Sequence, residues 1–245
     1  MNRPHLPPSA NRRQAVILAG GLATRMQPRT LTVPKILLEV RGRPFADLQL
    51  ELLAKCNYQS VVLCVAFLGE QVREYVGDGK KWGLRVEYSD EGKELLGTGG
   101  ALRIAAPLLE ETFLVTYGDS YLPFDYAAPL DSLRAHDDCD GVMSVFANAG
   151  KWDASNVRIR PDPGGEWILA YEKGTKDPAF DHIDYGAIAL RKSAVLELPE
   201  RQRSGLDELQ TRLARRQRLR AWVARERFYE IGSPEGLAAL EERLK

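Results

Sequence analysis

Leu18-Ala19-Gly20-Gly21-Leu22-Ala23-Thr24-Arg25-Met26, followed by Pro34-Lys35, carries the strongest chemical signal in the sequence. It begins where the apolar run Ala15-Val16-Ile17-Leu18 stops at a glycine pair. Glycines directly after a buried strand let the backbone approach a ligand and aim N–H groups at phosphate oxygens. Arg25 and Lys35 supply the positive charge that a triphosphate needs and a neutral ligand does not. Taken alone, the glycine pair equally suits a strand-to-helix turn flanked by two surface cations. The spacing matches neither GxxxxGK followed by Ser or Thr nor the dinucleotide GxGxxG, and the second mismatch counts against a dehydrogenase. Asp119, in Tyr117-Gly118-Asp119-Ser120, ends another apolar run, Thr112 to Thr116. A carboxylate at a strand end can hold Mg²⁺, which prefers oxygen ligands; it can also be a plain turn or N-cap aspartate. His5, His136 and His182 are scattered with no metal-ligand spacing, and Ser120 lacks the GxSxG context of a serine nucleophile.

With these residues in hand, the segment AVILAGGLATRMQPRTLTVPKILLEV resembles the signature GGxGTRLxPLTxxxPKxxL of the sugar-1-phosphate nucleotidyltransferases. The likeness continues, in the family's order, through Gly77-Asp78-Gly79, Leu96-Gly97-Thr98-Gly99-Gly100-Ala101, Tyr117-Gly118-Asp119-Ser120 and Tyr229-Glu230-Ile231-Gly232-Ser233-Pro234-Glu235, over roughly residues 14 to 240. The resemblance implies that a sugar 1-phosphate oxygen attacks the α-phosphorus of a nucleoside triphosphate, with pyrophosphate leaving in line. Such transfer is mostly positioning and charge stabilisation. By the same resemblance Leu18, Ala19, Gly20, Gly21, Gly97 and Thr98 form the nucleotide site, the base packing at Gly97. Arg25 holds the triphosphate and the departing pyrophosphate, and Lys35 sits by the reacting phosphates. Asp119 and Glu230 bind Mg²⁺. Asn156, Glu172, Lys173 and Gly186 take the sugar phosphate, Lys173 at the phosphate and Glu172 at the sugar hydroxyls.

Three positions depart from the pattern. Ala23 replaces a glycine, which raises the question of whether that position needs positive φ. Glu230 stands for the usual second metal-binding aspartate, and Asn156 for a glycine beside the sugar. The short chain and the GDGKKWG and LGTGGAL stretches are most similar to the branch with heptose- and mannose-1-phosphate guanylyltransferases, which implies GTP; dTTP, UTP, CTP and ATP stay open. A non-catalytic nucleotide-sugar-binding subunit is the alternative, and it would be expected to lack Arg25, Lys35, Asp119 or Lys173. A glycosyltransferase would carry a DxD motif, which Asp119-Ser120-Tyr121 is not.

The elements that position these residues are legible in outline. Strands at Ser60 to Ala66, Leu84 to Tyr88 and Thr112 to Thr116 alternate with helices at Phe45 to Lys55, Leu68 to Tyr75 and Gly97 to Leu109. That rhythm predicts an α/β fold: a Rossmann-like, mostly parallel mixed sheet flanked by helices, of the nucleotidyltransferase and glycosyltransferase-A type. Ligands of such sheets lie beyond the carboxyl ends of the strands. Strands follow at Gly141 to Phe146, Asn156 to Arg160, Trp167 to Tyr171 and Ile183 to Leu190. The last 40 residues read as helical, with the basic run LQTRLARRQRLR as a solvated face. Residues 1–13 read as a flexible tail, and 14–245 as one domain with a nucleotide half to about 125 and a sugar-phosphate half beyond. No hexapeptide repeat, and so no left-handed β-helix domain, is expected.

Lys+Arg and Asp+Glu both number 34 among the 245 residues, so there is no bulk electrostatic case for nucleic acid or a membrane surface. Cys56, Cys64 and Cys139 form no CxxC pair and cannot all pair, which fits a reducing cytoplasm. The polar, proline-rich start has no apolar core of a signal peptide, and no window is long and apolar enough to span a bilayer. A monomer or homodimer is expected.

Overall fold

A computed structural model describes residues 12–92, 94–148 and 150–245. The strands are β1 (Gln14–Leu18), β2 (Glu39–Val40), β3 (Arg43–Pro44), β4 (Ser60–Val65), β5 (Arg85–Asp90), β6 (Thr112–Tyr117), β7 (Ser120–Tyr121), β8 (Gly141–Ala147), β9 (Val157–Asp162), β10 (Gly165–Tyr171), β11 (His182–Arg191), β12 (Leu219–Ala224) and β13 (Tyr229–Glu230). The helices are α1 (Phe45–Lys55), α2 (Gly69–Val76), α3 (Gly97–Ala105), α4 (Ala127–Ala135), α5 (Lys192–Leu196), α6 (Leu206–Arg215) and α7 (Pro234–Arg243). Nine strands form one sheet in the order β5-β4-β1-β6-β11-β8-β12-β10-β9. From β5 to β6 every neighbour is parallel. Beyond β6 the sheet turns mixed: β11 runs antiparallel to both β6 and β8, and only β12 on β8 is again parallel.

Both faces are covered, and alternate residues of each central strand take opposite sides. Ala15 and Ile17 of β1 join the layer of α1, α2, α4 and α7. Val16 and Leu18 join that of α3, α5 and α6. This is why β1 and β4 read as continuous apolar runs rather than alternating ones. Residues 1–11 of the expected tail lie outside the described residues. Arg12 and Arg13 are tied down: the Arg13 N–H donates to Gln59 Oε1 at 2.9 Å, its guanidinium pairs with Asp131 at 2.8 Å, and Arg134 donates to the Arg12 carbonyl. Among the described residues no helix is long and apolar enough to cross a membrane.

The structure corrects the helical reading of the C-terminal basic run. α6 stops at Arg215, and Leu219–Ala224 is the strand β12, paired to β8 inside the sheet. Leu219, Ala221 and Val223 face the α6 side. Arg220 is only 6% exposed, lies 4.3 Å over the Trp167 ring and makes two hydrogen bonds to Asp138. Arg218 does the same to Asp140, both at 2.8 Å. The carboxylates that neutralise this run therefore come from just before β8, far away in sequence. Arginines alternating with apolar residues satisfy a strand period when each guanidinium finds a bidentate partner.

Candidate active site

The site lies beyond the carboxyl ends of β1 and β6, which are neighbours in the sheet. The Gly118 N–H donates to the Leu18 carbonyl at 2.9 Å, and the Ala19 N–H to the Cys64 carbonyl at 2.9 Å, so both loops leave the sheet side by side. Glycine suits position 118: a Cβ there would meet Ala19 Cβ at 3.1 Å and the Leu18 carbonyl at 3.2 Å, so the neighbouring loop would have to give by a few tenths of an ångström. Beyond Gly21 the chain does not enter a helix. It makes three short 3₁₀ turns, at Thr24–Met26, Arg29–Leu31 and Lys35–Leu37, and the β2–β3 hairpin before α1 begins. The chain therefore makes no direct strand-to-helix turn there, and the loop lines a cavity.

That cavity has a volume of about 410 Å³. Leu18, Ala19, Gly20, Gly21, Lys35, Gly97, Thr98 and Asp119 all line it, which gathers every expected nucleotide residue and two of the three expected catalytic ones. Gly21 has open space where a Cβ would be, leaving its backbone bare. Gly97 (φ +77°) begins α3, and a Cβ on it would come within 2.6 Å of the Ser204 carbonyl. That carbonyl accepts the Gly99 and Gly100 N–H groups, and Thr98 Oγ1 accepts the Leu206 N–H at the start of α6. The glycines of α3 thus admit the crossing segment 203–205, and Thr98 ties that segment down.

The reacting end is built by β7 and β13. Their pairing sets Glu230 opposite Ser120, and the Ile231 N–H donates to the Asp119 carbonyl at 2.9 Å. Lys35 Nζ is 2.7 Å from Asp119 Oδ2. A Cβ on Gly232 would lie 3.2 Å from Arg25 Nη2, 3.4 Å from Asp119 Oδ2 and 3.8 Å from Glu230 Oε2, so Gly232 keeps open the place where these three side chains converge. Burial and the charge of Asp119 push the Glu230 carboxyl up to about 7, against the pull of Arg25 and Lys35. Arg25 and Glu230 also line a second cavity of about 300 Å³. Arg25 forms no ion pair or side-chain hydrogen bond among the described residues.

Ala23 adopts the left-handed conformation, φ 50° and ψ 45°. The position therefore does require positive φ, and this chain pays the strain with an alanine. Its carbonyl accepts Thr30 Oγ1–H at 2.8 Å and the Met26 N–H at 3.0 Å, which hold the loop in place. A non-glycine residue in this region costs about 1–2 kcal/mol, partly offset by glycine's larger unfolded-state entropy. Ala23→Gly is expected to stabilise the protein by roughly 0.5 kcal/mol, raising the melting temperature by about 1–2 °C. A lower melting temperature would contradict that account.

The four expected sugar-phosphate residues line neither cavity and sit at the corner of β9, β10 and β11. Asn156 Oδ1 accepts the Asp184 N–H at 2.8 Å, and its carbonyl accepts the Glu172 N–H at 2.9 Å. Because an N–H fixes the oxygen of that amide, the Asn156 NH₂ is left without a protein partner among the described residues. Gly186 (φ +88°) packs where a Cβ would meet Ser120 Oγ at 3.3 Å, bringing this corner next to Asp119. Lys173 is 60% exposed, with Nζ 3.5 Å from Asp207.

Three participants escaped the sequence reading. Glu91 lines the large cavity; Leu96 N–H donates to its Oε2 at 2.9 Å, and burial raises its carboxyl. Arg203 lines the same cavity from the segment that crosses α3. Asp184 is partly buried and accepts from the Gly186 N–H at 2.9 Å, Gln210 Nε2 at 3.1 Å and Tyr171 Oη at 3.4 Å. It pins the β11 irregularity that carries Gly186. Asp184 lies two residues before Gly186; Glu91 and Arg203 sit in charged stretches with no spacing signal.

A glycine-lined cavity at the strand ends of such a sheet, with a lysine–aspartate pair and a second carboxylate at its rim, defines a nucleotide-binding protein built for phosphoryl-group chemistry. The chain belongs to the nucleotidyl transferase family, whose model matches residues 14–244, and within it to the sugar-1-phosphate nucleotidyltransferases. It is 39% identical over 194 residues to the N-acetylmuramate alpha-1-phosphate uridylyltransferase of Neisseria meningitidis, covering 72% of this chain and 80% of that one. It is 27% identical to the D-glycero-alpha-D-manno-heptose 1-phosphate guanylyltransferase of Campylobacter jejuni, over 91% of this chain and 96% of that one. Among solved structures, HddC from Yersinia pseudotuberculosis superposes with a TM-score of 0.74 at 24% identity, over 95% of this chain and 100% of that one, which confirms the fold.

Proposed function

We propose that this enzyme condenses a sugar 1-phosphate with a nucleoside triphosphate, forming a nucleotide-sugar and pyrophosphate. The observation that carries the reading is the convergence of Arg25, Asp119 and Glu230 about Gly232, with Lys35 bonded to Asp119, at the rim of the glycine-lined cavity. The nucleotide half, 14–125, supplies Gly20, Gly21 and Gly97 for the triphosphate. The half from 126 onward supplies Asn156, Glu172, Lys173 and Gly186 for the sugar phosphate. Arg25 and Lys35 stabilise charge that grows on the departing pyrophosphate.

Asp119 and Glu230 suit Mg²⁺. Two carboxylates face each other in a partly dry site, one of them raised by the other's charge, and a divalent cation would relieve both. Among the described residues no three His, Cys, Asp or Glu side chains form a metal cage. Mg²⁺ itself takes one or two carboxylates and completes its shell with water and substrate phosphates. When bound, it would neutralise phosphate charge.

For the base, Glu91 favours guanine. Among the described residues its Oε1 receives no hydrogen-bond donor, and a carboxylate in the base cavity accepts from guanine's adjacent N–H groups, whereas uracil offers one N–H between two carbonyls. A second reading, UTP, draws on the greater identity to a uridylyltransferase. The test compares kcat/KM for GTP and UTP in the wild type and in Glu91→Gln. The guanine reading expects GTP to lead by at least about tenfold and Glu91→Gln to erase that lead. A UTP preference indifferent to Glu91 would overturn it.

A further inference from the structure

Arg25, Trp152, Asp153, Arg227, Tyr229 and Glu230 stand among the walls of the second cavity. Arg227 is held there on several sides. Its guanidinium carbon lies 3.8 Å from the centre of the Trp152 ring and 4.4 Å from that of Tyr229, and its Nε donates to the Phe228 carbonyl at 3.2 Å. Asp153 and Glu230 line the same cavity, yet among the described residues Arg227 forms no ion pair and neither Nη group has a hydrogen-bond partner. Two rings and one carbonyl thus fix the guanidinium and leave its fork for a ligand.

The cavity adjoins the corner expected to take the sugar. Trp152 and Asp153 belong to the loop that runs directly into Asn156. A buried Asn148 sets that loop: its Oδ1 accepts the Trp152 N–H at 3.2 Å, and its Nδ2 donates to the Asp153 carbonyl at 2.6 Å and to Ser155 Oγ at 3.1 Å. On another wall Glu230 pairs with Ser120 across β13 and β7, and a Cβ on Gly186 would lie 3.3 Å from Ser120 Oγ. Asn156 and Gly186 are therefore close neighbours of the cavity walls. The glycine-lined cavity given to the triphosphate shares no lining residue with this one.

A guanidinium with both Nη groups free binds a carboxylate end-on through two parallel hydrogen bonds. Resting on the nucleotidyltransferase reading above, we propose that this cavity receives a carboxylate carried by the sugar, so that the substrate is an acidic sugar 1-phosphate and Arg227 is the residue that selects it. The other charges of the cavity favour a carboxylate over a second phosphate group. Asp153 and Glu230 stand beside Arg25 and Arg227, so a planar, singly charged group meets less repulsion there than a phosphate dianion does. A neutral sugar leaves the Arg227 fork to water and gains nothing from it.

The test is calorimetric binding to the protein with Mg²⁺ and the α,β-methylene analogues of GTP and UTP, which cannot react. Two matched pairs are titrated: glucuronic acid 1-phosphate against glucose 1-phosphate, and the lactyl ether of N-acetylglucosamine 1-phosphate against its parent. At least one acidic member should bind at least about tenfold more tightly than its neutral twin. Arg227→Gln should remove that advantage, with the melting temperature within about 2 °C of the wild type. Arg227→Lys keeps the charge and loses the fork, and should retain part of the advantage. Equal or weaker binding of both acids, or none at all, overturns the proposal. So does an acid preference that survives Arg227→Gln. Glucose 1,6-bisphosphate forms a third arm: tighter binding than either acid, lost in Arg227→Gln, would make the cavity a phosphate subsite and overturn the carboxylate. Binding and turnover are read separately. Acid binding through Arg227 with no nucleotide-sugar formed from any natural triphosphate would defeat the proposed reaction and leave the site standing, whereas turnover of neutral sugars indifferent to Arg227 would do the reverse.

Discussion

Asp119→Ala is expected to abolish turnover, reducing kcat by at least about a thousandfold, or about 4 kcal/mol of transition-state stabilisation at 1.36 kcal/mol per tenfold. Asp119 receives Lys35 at 2.7 Å and its charge acts on Glu230, so its loss would free the lysine and leave the proposed metal pair with a single member. The fold should survive. The Lys35–Asp119 pair is partly exposed, and its removal costs on the order of 1 kcal/mol at most. What fixes the position of Asp119 in the chain is the Ile231 N–H on its backbone carbonyl, which alanine retains. Steady-state kinetics beside a thermal melt checks both halves. Turnover within tenfold of the wild type would remove Asp119 from the chemistry.

Arg25→Ala should reduce kcat by about a hundredfold, the scale seen when one preorganised donor to developing charge is deleted. Here too the structure separates chemistry from stability. Arg25 is exposed and unpaired among the described residues, so the melting temperature should move by no more than about 2 °C. In the proposed reaction the guanidinium meets charge that grows as pyrophosphate departs, so kcat should fall more than KM for the triphosphate rises. A rise in KM alone would reduce Arg25 to ground-state binding.

What was legible in the sequence was whatever one local signal controls. Ala15 to Leu18 and Thr112 to Thr116 announce strands by continuous apolar runs, and each ends at glycine; Asp119 and the Gly20-Gly21 loop follow from that alone. Leu219–Ala224 was illegible because its strand period is written in arginines, whose partners Asp138 and Asp140 lie on the far side of the sequence. Ala23 posed its question correctly, but only the backbone answers it: two hydrogen bonds to one carbonyl hold an alanine where glycine is the easier choice. Glu91 and Arg203 were hidden for another reason. Each reaches the cavity through what crosses beside it: the start of α3 and the segment 203–205. No spacing in one stretch of chain encodes such crossings.

The central claim, that the site joins a sugar phosphate to the α-phosphorus of a triphosphate, is tested most directly by ³¹P nuclear magnetic resonance. The protein, Mg²⁺, GTP or UTP and a panel of sugar 1-phosphates would be followed in one tube. The account predicts paired diphosphate doublets of a nucleotide-sugar growing in step with a pyrophosphate singlet, for a particular sugar and only with both substrates present. Orthophosphate in place of pyrophosphate, or no new signals from any pair while nucleotide-sugars still raise the melting temperature, would contradict it and point to a binding protein.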